Sequence, residues 1–312
     1  MALKIDNKIV HSSMTEVLMQ NVMAFTEGTN GAITLGSELI NGDVEEFSML
    51  SEIASIIGDR DISSDGDLVA KTLSSADGDN IKIYFSTGAI EFKLVDAKRY
   101  GSNSESFSMA IGEQIGIGIT NYMLNKAIVA TVGAIQATAG LVTGNGLATI
   151  TPSLLNAALK PFGDARGAIV AWVMTGATYN DLVGNQLAVA TGGDITADGV
   201  LYTDNIGTLN RPAYVTDAAG LSMAVGSAVL GLTRGAVEII ESETREFVSD
   251  LITGKDNLKY RIQAESSLLL RVKGFSYDGV VNPANAVLAA KANWSQSASD
   301  VKSTAGVLLN IA

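Results

Sequence analysis

An α+β fold is predicted. Three patterns carry that prediction. Residues 80–95 alternate apolar and polar with a period of two, a helical period runs from Phe107 to Val129, and short strand-like runs fill much of the second half. At 312 residues the chain can bury a large core, as one elaborate domain or two ordinary ones.

Taken in order, residues 1–58 mix polar stretches with short amphipathic pieces, Thr15–Met19 and Met49–Ala54, separated by Gly28-Thr29-Asn30-Gly31. Such a segment reads either as an arm ordered by lying on something else or as a helical N-terminal part of the same core. Next, Ile81, Ile83 and Phe85 fall on one face and Ile90, Phe92 and Leu94 on a matching one, with Thr87-Gly88 at the bend. The spacing predicts a β-hairpin with one apolar side. Burying those six side chains yields roughly 9–18 kcal/mol before entropy is subtracted, yet a lone two-stranded hairpin is marginal in water, so it must dock on a surface. That surface belongs either to the same subunit or to a neighbour.

From Ser104 the spacing Phe107, Ile111, Ile115, Ile119, Tyr122, Lys126, Val129 predicts a long helix, weakened by Gly112, Gly116 and Gly118. A second helix opens at Thr151-Pro152, a cap followed by proline at the first position, and stops near Pro161. Ala168–Thr175 reads as a buried strand containing Trp172, and Ala177–Leu187 as a helix. Strands follow at Ala236–Glu241, Arg245–Asp250, Leu258–Gln263 and Leu268–Val272. Asn282-Pro283 is expected to cap a helix over Ala284–Ala292, before a terminal strand at Gly306–Asn310.

Composition excludes several functions. A formal net charge of −12 argues against gripping nucleic acid by phosphate neutralisation. Zero cysteines remove disulfides, thiolate metal sites and cysteine nucleophiles, and the single His11 cannot frame a histidine-centred triad or metal cage. The uncharged stretch Ala127–Leu159 is broken by polar residues and glycines into pieces too short for a membrane span. Asp61, Ser63, Asp65 and Gly66 mimic half of a calcium loop, but Thr72 stands where a bidentate glutamate is needed, which leaves a solvated acidic turn. Glu238, Glu241, Glu243 and Glu246 alternate with apolar residues as on a solvated face. No cofactor and no metal are expected, and the runner-up from a different class is a soluble carboxylate-dependent hydrolase.

The ordered string Leu268–Phe275, Asn282-Pro283-Ala284-Asn285-Ala286, Asn293-Trp294 and Gly306–Asn310 resembles the C-terminal end of major capsid proteins of tailed bacteriophages. Gly163-Asp164, Ala171-Trp172-Val173-Met174 and Tyr179-Asn180-Asp181-Leu182 are similar to the same family. The chain departs from the family at Leu209-Asn210-Arg211, where a glycine-led step is usual. The resemblance implies a Hong Kong 97-type fold, divided into an N-terminal arm (1–58), an extended β-hairpin loop (59–101), a peripheral domain with a long spine helix (102–165), an axial domain (166–265) and return strands (266–312). It implies a non-enzymatic subunit that assembles into pentamers and hexamers of an icosahedral head enclosing double-stranded DNA. Its partners are then copies of itself, a scaffolding protein, a portal and a decoration protein, in a virion assembled in the bacterial cytoplasm without membrane contact. Ile81, Ile83, Phe85, Ile90, Phe92 and Leu94 are the expected subunit-interface residues. Some relatives crosslink a loop lysine, which directs attention to Lys71, Lys82, Lys93 and Lys98, although ordinary solvated lysines fit the pattern better. The shell of an encapsulin-like bacterial nanocompartment shares the fold and is the alternative within the structural class.

Overall fold

The computed structural model describes residues 5–50, 62, 63, 66, 75–100, 104–191, 208–254 and 256–312. The first half runs through α1 (Asn7–Gly28), β1 (Ile33–Ser37), β2 (Val44–Leu50), β3 (Ser75–Ser86), β4 (Ile90–Lys93), α2 (Leu94–Tyr100), α3 (Ser104–Ala137), β5 (Val142–Thr143) and α4 (Pro152–Ala158). The second half runs through β6 (Ile169–Met174), α5 (Gly176–Thr191), β7 (Ala213–Val215), β8 (Ser227–Thr233), β9 (Val237–Glu241), β10 (Glu246–Ile252), β11 (Lys259–Val272), β12 (Phe275–Tyr277), α6 (Asn285–Leu288), β13 (Trp294–Gln296) and β14 (Gly306–Ile311).

Asp6 starts α1 by accepting the Lys8 amide at 2.9 Å, and Val10, Met14 and Leu18 then form a buried stripe four residues apart. That stripe lies on α3. A β-carbon on Gly112 would stand 2.5 Å from the Val10 carbonyl oxygen, and one on Gly116 would stand 3.0 Å from that of Met14. These glycines are therefore where two helices touch through their backbones. The 34 residues of α3 span about 51 Å and link two sheets.

The larger sheet has the order β1-β9-β11-β3-β2, with β10 and β4 flanking the first half of β11. Among the described residues only β1 and β9 pair in parallel within it. Its apolar face, with Ile81, Ile83, Ile239, Leu268 and Leu270, joins the same core as Ile119, Met123 and Leu124 of α3. The smaller sheet has the order β5-β14-β8-β6-β7, so the last strand of the chain is an interior one. Trp172 is fully buried there, and its indole N–H donates to the Thr208 carbonyl at 3.0 Å. Thr151 caps α4 as expected, accepting from the Leu154 amide at 3.3 Å.

The run 80–95 does not fold back on itself. Ser86 lies opposite Glu265 and Ile90 opposite Ile262, so β3 and β4 are successive segments running antiparallel to the same strand. At the break, the Thr87 and Ala264 amides each find a partner across the gap, at 2.9 Å. Alternation is the same whether a chain reverses or runs on, and the long β11 supplies a better partner than either short segment could. The hairpin lies one strand earlier, where β2 pairs with β3 from Val44 opposite Ile81 to Leu50 opposite Ser75. All but residues 62, 63 and 66 of its connection lie outside the described residues, as do most of the calcium-like window and Lys71.

Three further expectations change. Leu258–Gln263 and Leu268–Val272 are parts of one 14-residue strand, because Ala264–Ser267 continue the ladder between β10, β9, β4 and β3. Strands 237–272 join the N-terminal strands in the larger sheet rather than the sheet of β6, so an axial unit running to 265 crosses a sheet boundary near Gly235. Asn282 caps no helix: it has φ of 49°, its side-chain oxygen accepts the Tyr84 amide at 3.1 Å, and α6 starts after Ala284 and spans four residues. At the departure from the family pattern, Leu209 and Asn210 have φ of 56° and 61°. Glycine takes that conformation without a steric penalty.

Candidate assembly surface

The base of the β2–β3 hairpin is fixed by charge. Arg271 of β11 donates to Glu45 of β2, to Glu238 of β9 at 3.2 Å and to Glu38 beyond β1 at 3.0 Å. Its guanidinium holds the Glu45 carboxyl below the usual range against the opposing effect of burial, and the Asn80 amide at 2.9 Å adds to the effect. One cation thus ties three strands and the segment after β1 together. Burial acts most strongly on the Lys82 ammonium and lowers its pKa, yet Glu243 at 2.7 Å and Tyr84 together outweigh it, and the pKa stands above the ordinary lysine value. Lys82 is 2% exposed, donates also to the Ile40 carbonyl at 3.1 Å and lies over the Tyr84 ring, so it is not a solvated lysine. Lys126 of α3 is equally hidden; burial pushes its pKa down, and its ammonium donates to the Pro283 carbonyl at 3.1 Å beside Tyr122.

The acidic run is likewise not a uniformly solvated face. Glu238 pairs with Arg271, Glu241 with Arg245 and Glu243 with Lys82. Among the described residues no group of three potential metal ligands converges, and no helix is long and apolar enough to cross a membrane. Carboxylates neutralised by arginine and lysine are poor ligands and poor general bases.

The six expected interface positions divide. Ile81 and Ile83 are each 1% exposed and belong to the core of their own chain, which corrects their placement: β3 is an interior strand, so its apolar face meets the chain's own core. Phe85 is half-buried against Tyr122, with ring centroids 5.1 Å apart. Phe92 stands between Phe107 at 5.2 Å and Tyr260 at 5.9 Å, and Leu94, half-buried, opens α2. Ile90 is 41% exposed. It edges a groove of about 320 Å³ formed with Phe92, Phe107, Ile111, Ile115 and Ile262. A second groove, of about 800 Å³, runs between the outer side of α1, with Met19 and Met23, and Arg245 and Phe247 at β10. Sequence alone gave no sign of this one, because its two walls are over 200 residues apart in a chain with no recognised pairing between them.

Two large sheets bridged by one long helix, with a hairpin rooted at the rim of the larger one, make a Hong Kong 97-like fold. A structure from Microbacterium phage Oxtober96 superposes with a TM-score of 0.56 at 12% identity, over 89% of this chain and 89% of that one. One from Mycobacterium phage Adephagia gives 0.50 at 12% identity, over 91% and 90%, and the capsid of Ralstonia phage GP4 gives 0.50 at 11%, over 79% and 84%. At such identities the likeness is one of fold. The model of the family described as major capsid protein 13-like matches residues 2–308, and the chain belongs to that family. It is a structural protein of a tailed-phage capsid and not an enzyme. No curated protein matches the chain.

Proposed function

We propose that this chain is the repeating subunit of an icosahedral phage head, assembling into pentamers and hexamers around double-stranded DNA in the bacterial cytoplasm. The observation that carries the reading is a family match spanning residues 2–308, nearly the whole chain. Self-association is implied by the family; a scaffolding protein, a portal and a decoration protein are its proposed partners during assembly and maturation.

Within the subunit, α3 serves as the spine of a peripheral domain that begins near residue 102. The smaller sheet and residues 166–235 form the axial part, and residues 266–312 return to the body. Residues 1–58 divide between an arm containing α1 and the start of the extended loop. That loop is the β2–β3 hairpin, beginning near Val44 rather than at 59, and it reaches over a neighbouring subunit while Arg271 holds its base. Ile90 and Phe92, with Phe85 and Leu94 at their flanks, are the apolar residues proposed to meet a neighbour. Many weak contacts of this kind add to a closed shell.

Electron microscopy of the expressed chain, alone and with its scaffolding protein, tests the proposal. Closed shells with fivefold and sixfold capsomers, and DNA in particles from infected cells, are expected. Small discrete oligomers under every assembly condition would overturn it, and shells that carry an enzyme cargo in place of DNA would replace it with the nanocompartment reading.

A further inference from the structure

Two pairs of like charges are held together by the fold, and among the described residues neither pair has a counter-ion. On the larger sheet, Glu246 of β10 lies directly opposite Glu265 of β11. Residues directly opposite in an antiparallel ladder share a face, and like charges there are destabilising. Both carboxylates are exposed, and the polar contact of Glu265 is the Gln263 amide at 2.6 Å. Arg261, on the same face, is taken by Glu91. With Val248, which is 62% exposed, and Asp250, these residues line a groove of about 310 Å³ on a strand whose outer edge pairs with no other described strand.

The opposite case stands beside the smaller sheet. Arg211 spends its guanidinium on three carbonyls, Ile169 at 2.7 Å, Arg166 at 2.8 Å and Leu209 at 3.3 Å. Burial and the neighbouring Arg166 charge hold its pKa below the usual guanidinium range. Arg166 is exposed, and among the described residues neither arginine has a carboxylate partner. Nearby, Lys302 already has Asp164 at 2.6 Å.

The two pairs cannot neutralise each other within one chain. Ile169 lies opposite Thr233, beside the turn into β9, where Val237 meets Val272. Glu265 stands seven residues further back along β11 than Val272, on the order of 20 Å by strand rise, which is more than a physiological screening length of about 8 Å. We infer that the Glu246–Glu265 row of one copy docks on the Arg166–Arg211 pair of the next copy, a head-to-tail contact between two different surfaces. Such a heterologous contact, repeated, generates a ring where the rotation between copies closes. The partner is a second copy because its charge complements the row, and Val248 supplies an apolar centre between carboxylates. The inference rests on the shell reading and adds a residue-level contact to it.

Charge reversal tests it. Glu246→Lys with Glu265→Lys, and separately Arg166→Glu, should each raise the concentration needed for association about tenfold, as expected for losing two or three exposed ion pairs. Combining all three in one chain should recover part of the lost association, about threefold over either parent, because the reversed row then meets one carboxylate where it would otherwise meet two guanidinium groups. Glu246→Gln with Glu265→Gln separates folding from docking: its melting temperature should equal or exceed that of the unaltered chain while association weakens. Light scattering reads association of any size, so it does not depend on shell closure. Reversed variants that associate normally, or a combined variant no better than its parents, overturn the docking and leave the shell reading standing. Charge-sensitive small oligomers without shells overturn the shell reading alone.

Discussion

Arg271 faces carboxylates from three separate segments, and the balance among them decides how firmly the hairpin is rooted. Glu45 is 24% exposed and carries most of the interaction, whereas Glu38 and Glu238 are more open to water and contribute less. Arg271→Met should therefore cost about 1–3 kcal/mol at neutral pH, the range for losing a charge-assisted bond with partial exposure. The folded-state pKa of Glu45 lies below its ordinary value of 4.5. Its contribution is present in full above 4.5 and is lost as pH falls through the lower, folded-state value. Urea titrations at pH 7 and pH 3 should show the gap between Arg271→Met and the unaltered chain shrinking at the acidic end. A gap that stays constant across that range would assign the stabilisation to the packing of the arginine stem instead. Arg271 was visible in the sequence only as the basic flank of an apolar strand. Its partners lie at 38, 45 and 238, and no local pattern can announce an ion pair across such separations.

Among the elements, α3 and α4 were the most legible, α3 by its period and α4 by its cap, whereas the cap expected at Asn282 starts no helix. The α3 stripe and the Thr151 cap both stand where the spacing puts them. Strands were located well and paired badly, since alternation fixes which face is apolar but not which strand lies alongside; hence the run 80–95 looked like a hairpin when its two parts share β11. The glycines of α3 were misread for a similar reason. Taken alone, Gly112 and Gly116 weaken a helix; in the fold they admit α1 at backbone contact. Gly112→Ala, which improves helix propensity, should therefore destabilise the chain by about 1–3 kcal/mol through overpacking against Val10. Met14→Ala should cost about 2–5 kcal/mol from the fully buried side of α1, while Met19→Ser, on its exposed side, should stay within about 0.5 kcal/mol. Denaturant unfolding of the three variants measures all of this. A stabilised Gly112→Ala variant would mean that α1 does not rest on α3 as described.

At the scale of the whole molecule, the larger sheet is made from both ends of the sequence. Ile33 lies opposite Val237 and Ile81 opposite Leu270, so β1 has its sole described partner in β9, and β3 leans on β11. Loop closure over such spans must precede any gain from the contacts, which places this chain among slow, non-local folders. The smaller sheet has the same dependence, since β14 supplies the interior strand beside β8 and buries Val307, Leu308 and Leu309. A chain ending at Gly235 therefore keeps α1 and α3 but lacks the strands that complete both sheets. It should retain helical far-ultraviolet dichroism, lose near-ultraviolet signal from Trp172 and unfold without a cooperative urea transition, whereas the full chain unfolds cooperatively. A sharp transition in the shortened chain would show that residues 5–235 are a folding unit in their own right, and that the sheet pairing between the two ends is an addition to a core already formed. The expected result has a bearing on assembly: a subunit whose sheets close only when β9, β11 and β14 arrive cannot present the Glu246–Glu265 row, or a rooted hairpin, before those strands have been made. Association through those surfaces then waits for β14.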